Sequence, residues 1–330
     1  MQYFLLILGL AMIIKSADIL IDSSSKIAKR YGVSSFVIGI TVVAFGTSAP
    51  ELAVGIVSGI THTNQLTLGN VVGSSLANTA MIVGISAIIM PLQVRDSVVR
   101  REIPILIGIQ IILALMLFDN GVLSRLNGVI LISGFISFML YIIKDSKGSM
   151  KIEIDAEGDI DTDADGNQLS NEIVEAESKE NMIKLWCFSI LSLTGLFIGG
   201  KLTVGSSTDI AHSLGLSETL IGLTVVAIAT TMPELITSII AAVKKEPDIV
   251  LGNCIGSNIF NILLVLGLSS VISPIPADAS LWLDVAIMLI LTVLVFIISW
   301  FRKIIKRRVG IILLLSYGLY IVYKVVTVKH

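Results

Sequence analysis

Ala44-Phe45-Gly46-Thr47-Ser48-Ala49-Pro50-Glu51-Leu52 places an acid and a proline in the middle of an apolar run long enough to cross a bilayer. A carboxylate in the hydrocarbon layer costs several kcal/mol on insertion scales, so it faces a polar interior or a pathway. Pro50 removes an amide donor and frees the carbonyl one turn back, near Gly46, so the helix should break there. The broken end then offers carbonyls and hydroxyls beside an acid, an oxygen-rich cage at mid-membrane depth.

Ala227-Ile228-Ala229-Thr230-Thr231-Met232-Pro233-Glu234-Leu235 repeats the stretch 183 positions later. Gly32 and Gly215, Gly39 and Gly222, Gly69-Asn70 and Gly252-Asn253, Gly73-Ser74 and Gly256-Ser257, Asn78 and Asn261, and Pro91 and Pro274 all keep that offset. Such a register is an internal duplication.

The 330 residues are 54% hydrophobic and 15% charged, with mean hydropathy +0.92. Soluble domains carry about 25% charged residues, so the chain reads as an integral membrane protein. Its formal charge of −2 argues against a nucleic-acid partner, and no obligate protein partner is evident. Cys187 and Cys254 lie at no metal-ligand spacing and read as reduced fillers. The N-terminus lacks the positive region of a signal peptide and runs straight into a span, which is therefore expected to stay.

Apolar runs of membrane length fall at 3–25, 34–60, 66–90, 103–118, 125–143, 183–208, 218–243, 249–272, 281–301 and 309–325. The expected fold is an all-α membrane protein with ten transmembrane helices. Residues 1–143 form a first five-helix repeat, 144–181 an acidic loop, and 182–330 a second repeat. Five is odd, so the second repeat enters the bilayer inverted, as in many secondary transporters. Alternate loops hold eighteen of the 23 Lys and Arg residues. By the positive-inside rule the central loop is cytoplasmic and both termini lie outside.

The 144–181 segment is acidic, poor in large apolar residues and expected to be mobile. Inside it, Asp161-x-Asp163-x-Asp165-Gly166, with Glu172 six positions on, matches a calcium-loop pattern. An acid-rich segment produces such matches by chance, and no incoming helix is evident before Asp161.

Thr47, Ser48 and Glu51 share a helix face, as do Ser74 and Asn78 on the next span. The second half supplies Thr230, Thr231, Glu234, Ser257 and Asn261 at matching places, and the Ala44 and Ala227 carbonyls lie near the breaks. All these donors are oxygens, the chemistry of hard cations such as calcium. No His or Cys accompanies the motifs, which argues against zinc, copper or iron. Glu51 and Glu234 together supply two negative charges, which one Ca²⁺ or two Na⁺ neutralise. An empty pair would repel, so the site should move between sides mainly when occupied, the logic of an antiporter. No resident cofactor is needed; the ions are cargo. An intramembrane protease would want an Asp pair or a Ser/His set in the spans. A channel would not need mutually exclusive occupancy.

Gly46-Thr47-Ser48-Ala49-Pro50-Glu51-Leu52 with Gly69-Asn70-Val71-Val72-Gly73-Ser74, and Thr230-Thr231-Met232-Pro233-Glu234-Leu235 with Gly252-Asn253-Cys254-Ile255-Gly256-Ser257-Asn258, resemble the two α-repeats of the cation/calcium exchanger superfamily. The likeness is greatest to its prokaryotic sodium/calcium exchangers. The resemblance implies ten helices in two inverted halves and four central sites. Glu51 and Glu234 would bind calcium with the Thr47 and Thr230 carbonyls. Sodium would use Ala44, Ser48, Ser74, Ala227, Thr231 and Ser257, with Asn78 near the centre. Spans 1 and 6 would slide across the rest. The chain departs from that pattern in carrying Asn261 where well-known members have aspartate, Ala229 for a glycine and Thr231 for a serine. Sodium coupling is the expectation, with proton/calcium antiport on the same fold as the alternative.

Overall fold

The structure is a computed structural model that describes residues 1–31, 33–60, 65–157, 168–213, 227–277 and 281–328. Twelve helices dominate them. Helix α1 spans Gln2–Tyr31, α2 Ser35–Thr47 and α3 Ala49–Ile60, the last two bent by 46° at Ser48. They are followed by α4 Thr67–Ile89, α5 Val98–Phe118 and α6 Arg125–Glu157. Then come α7 Gln168–Ser213, the short turn α8 Ala227–Thr230 and α9 Met232–Val243. Helices α10 Pro247–Ile272, α11 Leu281–Arg302 and α12 Arg307–Val328 complete the set. Ser34 caps α2 by accepting the Val37 amide at 3.3 Å, and Pro233 and Pro247 occupy first turns, where a missing N–H is harmless.

Among the described residues seven helices are long and apolar enough to cross a membrane, or eight if α2 and α3 form one bent span. Of the ten expected spans, the seventh is described only from Ala227 onward, as α8 and α9. The tenth is matched by α12, 22 residues long. The fourth starts earlier than expected, at Val98. Leu115, Leu140, Leu191, Ile290, Leu315 and Leu319 are all more than 60% exposed, an apolar exterior suited to lipid rather than water. The centre is α10, with 94% of its apolar window buried, and α4, with 72%.

The duplication has a spatial counterpart. Two-residue strands β1 (Leu92–Gln93) and β4 (Ile304–Ile305) pair antiparallel, and so do β2 (Val122–Leu123) and β3 (Ile275–Pro276). An offset of 183 carries β1 onto β3, and 182 carries β2 onto β4, so one pair maps onto the other with the halves exchanged. Glycines repeat the exchange. Gly84 on α4 lies against the Gly310 backbone of α12, and Gly267 on α10 against the Gly128 backbone of α6. Even the left-handed residues ending α5 and α11, Gly121 (φ 63°) and Lys303 (φ 53°), are 182 apart.

Several expectations need correction. Much of 144–181, expected to be mobile, is helical: α6 runs to Glu157 and α7 begins at Gln168. A helix therefore does precede Asp161. Residues 158–167, with most of the calcium-like loop, lie outside the described residues. Asp18 pairs with Lys15 at 3.4 Å as expected locally, but its closer partner is Lys244 of the other half, at 2.6 Å. Lys244 also holds Asp22 at 2.7 Å, and Ser25 donates to Glu246 at 2.6 Å, tying α1 to the turn after α9.

Gly256 lets α10 approach α2: a side chain there would meet the Ala44 methyl at 2.6 Å and the Ile40 carbonyl at 2.7 Å. Gly256→Ala should therefore destabilise the protein by about 1–3 kcal/mol, read as a lower thermal midpoint of the detergent-purified protein. An unchanged midpoint would contradict this packing.

Candidate functional site

The two helix breaks have the same local form. Ser48 (φ −82°, ψ 5°) and Thr231 (φ −80°, ψ −3°) interrupt the helices one residue before the restart. Each carbonyl then accepts the amide four residues on, from Leu52 at 3.1 Å and Leu235 at 3.0 Å. The break falls at Ser48, slightly later than the Gly46 position expected from Pro50. Gly200 of α7 lies beside both Pro50 and Pro233, where a side chain would meet ring carbons. The two breaks thus face each other in the interior.

Glu51 and Glu234 stand in the first turns of α3 and α9 and are 0% and 1% exposed. A helix N-terminus favours a carboxylate. Most of the supporting hydrogen bonds cross between halves; the Ser74 contact to Glu51 stays within the first. Ser48 Oγ donates to Glu234 Oε1 at 3.1 Å, and Ser74 Oγ approaches Glu51 Oε1 at 3.5 Å. Thr231 Oγ1 donates to Ser74 Oγ at 3.3 Å. Thr47 Oγ1 donates to Asn253 Oδ1 at 3.0 Å and lies 3.4 Å from Ser257 Oγ. Thr230 Oγ1 donates to Asn70 Oδ1 at 3.2 Å, the repeat-related counterpart.

Asn78 and Asn261 sit in π-helical turns, Ala77–Ile82 of α4 and Asn261–Leu266 of α10. Such turns widen a helix locally and recur at functional sites. Asn78 Nδ2 donates to Asn258 Oδ1, whose amide in turn donates to Thr79, both at 3.0 Å. Glu51 Oε2, Glu234 Oε2, Asn78 Oδ1 and both amide atoms of Asn261 are buried without a hydrogen-bond partner in the protein. Leaving such groups unmatched costs about 1–3 kcal/mol each, more when charged. Four oxygens in this state suit a hard cation. Among the described residues no cluster of three His, Cys, Asp or Glu exists, so hydroxyls and amides must complete any coordination.

The structure therefore gathers Glu51, Glu234, Thr47, Thr230, Ser48, Thr231, Ser74 and Ser257 around the two breaks, while Asn78 belongs to a buried chain with Asn258 and Thr79 and Asn261 is buried at the position repeat-related to it. The Ala44 carbonyl is already engaged, accepting the Ser48 amide at 3.0 Å and the Thr47 hydroxyl at 3.3 Å. Ala227 opens α8. Sequence reasoning missed the roles of Asn70, Asn253, Asn258 and Thr79. The first two were marked by the offset of 183, and all four are polar residues inside apolar spans. It also missed Glu102, Gln110 and Asp284, buried polar side chains away from the motifs; Asp284 is held by Lys324 at 2.7 Å.

The profile of the sodium/calcium exchanger protein family matches residues 1–144 and 184–326. Sodium/calcium exchanger MaX1 of Methanosarcina acetivorans is 32% identical over 97% of both chains. Inner membrane protein YrbG of Escherichia coli is 31% identical over 91% of this chain and 89% of its own length. A solved structure of the sodium-calcium exchanger NCX_Mj superposes with TM-score 0.82 at 29% identity, covering 97% of this chain and 98% of that one.

Asn258→Ala strands the Asn78 amide and removes the donor to Thr79. The thermal midpoint should fall by the equivalent of about 1–3 kcal/mol per group left unmatched. An unchanged midpoint would show that this amide chain contributes nothing.

Proposed function

Because the chain belongs to the sodium/calcium exchanger protein family, we propose that it is a secondary antiporter exchanging Ca²⁺ for Na⁺ by alternating access. Membership makes it a multi-pass membrane transporter of cations, not an enzyme. The observation that carries the reading is the pair of buried carboxylates, one from each half, each braced by a hydroxyl and each keeping one oxygen unmatched.

In this reading Glu51 and Glu234 hold Ca²⁺ with the Thr47 and Thr230 carbonyls. Sodium ions use the hydroxyls of Ser48, Ser74, Thr231 and Ser257 with the Ala44 and Ala227 carbonyls, and Asn78 and Asn261 line the centre. One Ca²⁺ or two Na⁺ cancels the two carboxylate charges, so either cargo relieves the same repulsion and excludes the other. Ten helices in two inverted repeats, 1–143 and 182–330, complete the architecture. The exchanged strand pairs and glycine contacts support it, as does the apolar length of the described spans. Lys and Arg distribution places the central loop in the cytoplasm and both termini outside.

One observation favours protons as the counter-ion instead. Both central positions, 78 and 261, carry neutral asparagine, so the site has only two carboxylates, and protons can discharge them as sodium does. Proteoliposomes with sodium and pH gradients imposed separately decide between the two. Calcium uptake should follow an outward sodium gradient and ignore a pH gradient. Glu51→Gln and Glu234→Gln should each reduce it to background. Uptake driven by the pH gradient alone would replace sodium with protons, and uptake indifferent to both would overturn antiport.

A further inference from the structure

Between α1 and α7, away from the carboxylate pair, lies a cleft of about 580 Å³. Lys26 and Arg30 line it from α1 and Lys184 from α7, against a wall that includes Ile19 and Phe188. Asp22 also reaches the cleft, but its carboxylate is held by Lys244 at 2.7 Å. Among the described residues none of the three cations has a carboxylate partner. Three cations around one cavity, with no carboxylate partner among the described residues, suit an anion.

The surroundings specify the kind of anion. The Lys184 ammonium stands 5.8 Å from the Phe188 ring centroid, and Phe188 is 41% exposed, with Leu191 exposed one turn on along the same helix face. One wall of the cleft thus continues into an apolar face suited to acyl chains. Trp186 and Tyr31 meet at this end with ring centroids 6.4 Å apart, and such aromatic pairs mark the headgroup level of a bilayer. Basic pockets between transmembrane helices at the cytoplasmic face suit anionic headgroups.

We infer that the α1–α7 cleft binds the phosphate of an anionic glycerophospholipid from the cytoplasmic leaflet through Lys26, Arg30 and Lys184, its acyl chains lying along Phe188. A free phosphate shares the charge but not the apolar wall. The bound lipid bridges one helix of each half and so ties together two elements that otherwise meet through their own packing. The inference rests on the membrane reading above and not on which ions are carried.

The test is native mass spectrometry of the purified full chain with dioleoyl-phosphatidylglycerol, dioleoyl-phosphatidylcholine or inorganic phosphate. Phosphatidylglycerol should be retained as a discrete adduct, and millimolar phosphate should not displace it. The triple variant K26Q/R30Q/K184Q should weaken retention by about 100-fold at low salt. K26R/K184R should preserve it. Removing the same charge elsewhere on that face, in R302Q/K306Q/R308Q, should leave it within about threefold. Equal retention of phosphatidylcholine, displacement by inorganic phosphate, or equal losses in both triple variants would overturn the site. Retention is read without transport, so loss of calcium exchange would count against the antiport reading and leave this one intact.

Discussion

Two carboxylates buried in one apolar interior set the terms for everything else in this molecule. At an effective dielectric of about 20, like unit charges about 4 Å apart repel by about 4 kcal/mol, on top of the cost of burial itself. The structure answers part of that cost. Glu51 and Glu234 sit at helix starts, where the backbone dipoles favour negative charge, and each is approached by a serine hydroxyl from another helix. What the protein leaves unmet here is one oxygen on each acid, the Asn78 amide oxygen and both amide atoms of Asn261. A positive ion completes that set, and the proposed exchange follows from two kinds of ion competing to do so.

Duplication with exchange is how a single chain brings two such acids together. Each half carries its acid just past a helix break, and the dihedral angles of the two break residues agree within about ten degrees. The threonine hydroxyls at each break find partners across the halves. Thr47 finds Asn253 and Thr230 finds Asn70, each in the opposite half. Helices α4 and α10 supply these asparagines from the most buried position in the molecule. Their glycines permit the approach: α10 reaches the α2 backbone at Gly252 and Gly256, and α12 and α6 close on Gly84 and Gly267. Site and fold are therefore one set of contacts, repeated twice.

Much of this was legible before any coordinates. The offset of 183 residues, the proline-acid pairs and the apolar runs point to an all-helical membrane fold, to a duplication and to the eight residues now seen around the two breaks. Asn261 was legible too, although its amide joins no hydrogen bond. What was not legible depends on tertiary partners. Nothing in the pattern around Asn78 or Asn261 announces a π-helical turn, since such a turn reflects packing against a neighbour rather than local propensity. Which helix Gly256 meets is set by the fold and not by the motif: a side chain there would run into Ile40 and Ala44 of α2. The Ala44 carbonyl, read from sequence as lying near the break, accepts the Ser48 amide across it. Lys244 reads as one more cytoplasmic cation, and only the fold shows it holding Asp18 and Asp22 of the first helix.

The central claim is that one acid from each half jointly holds a single divalent ion, and calorimetric calcium titration of the purified protein in sodium-free buffer addresses it directly. One Ca²⁺ per chain should bind, sodium should displace it, and neutralising either acid alone should remove it. Two independent calcium ions per chain, each surviving loss of the opposite glutamate, would contradict it.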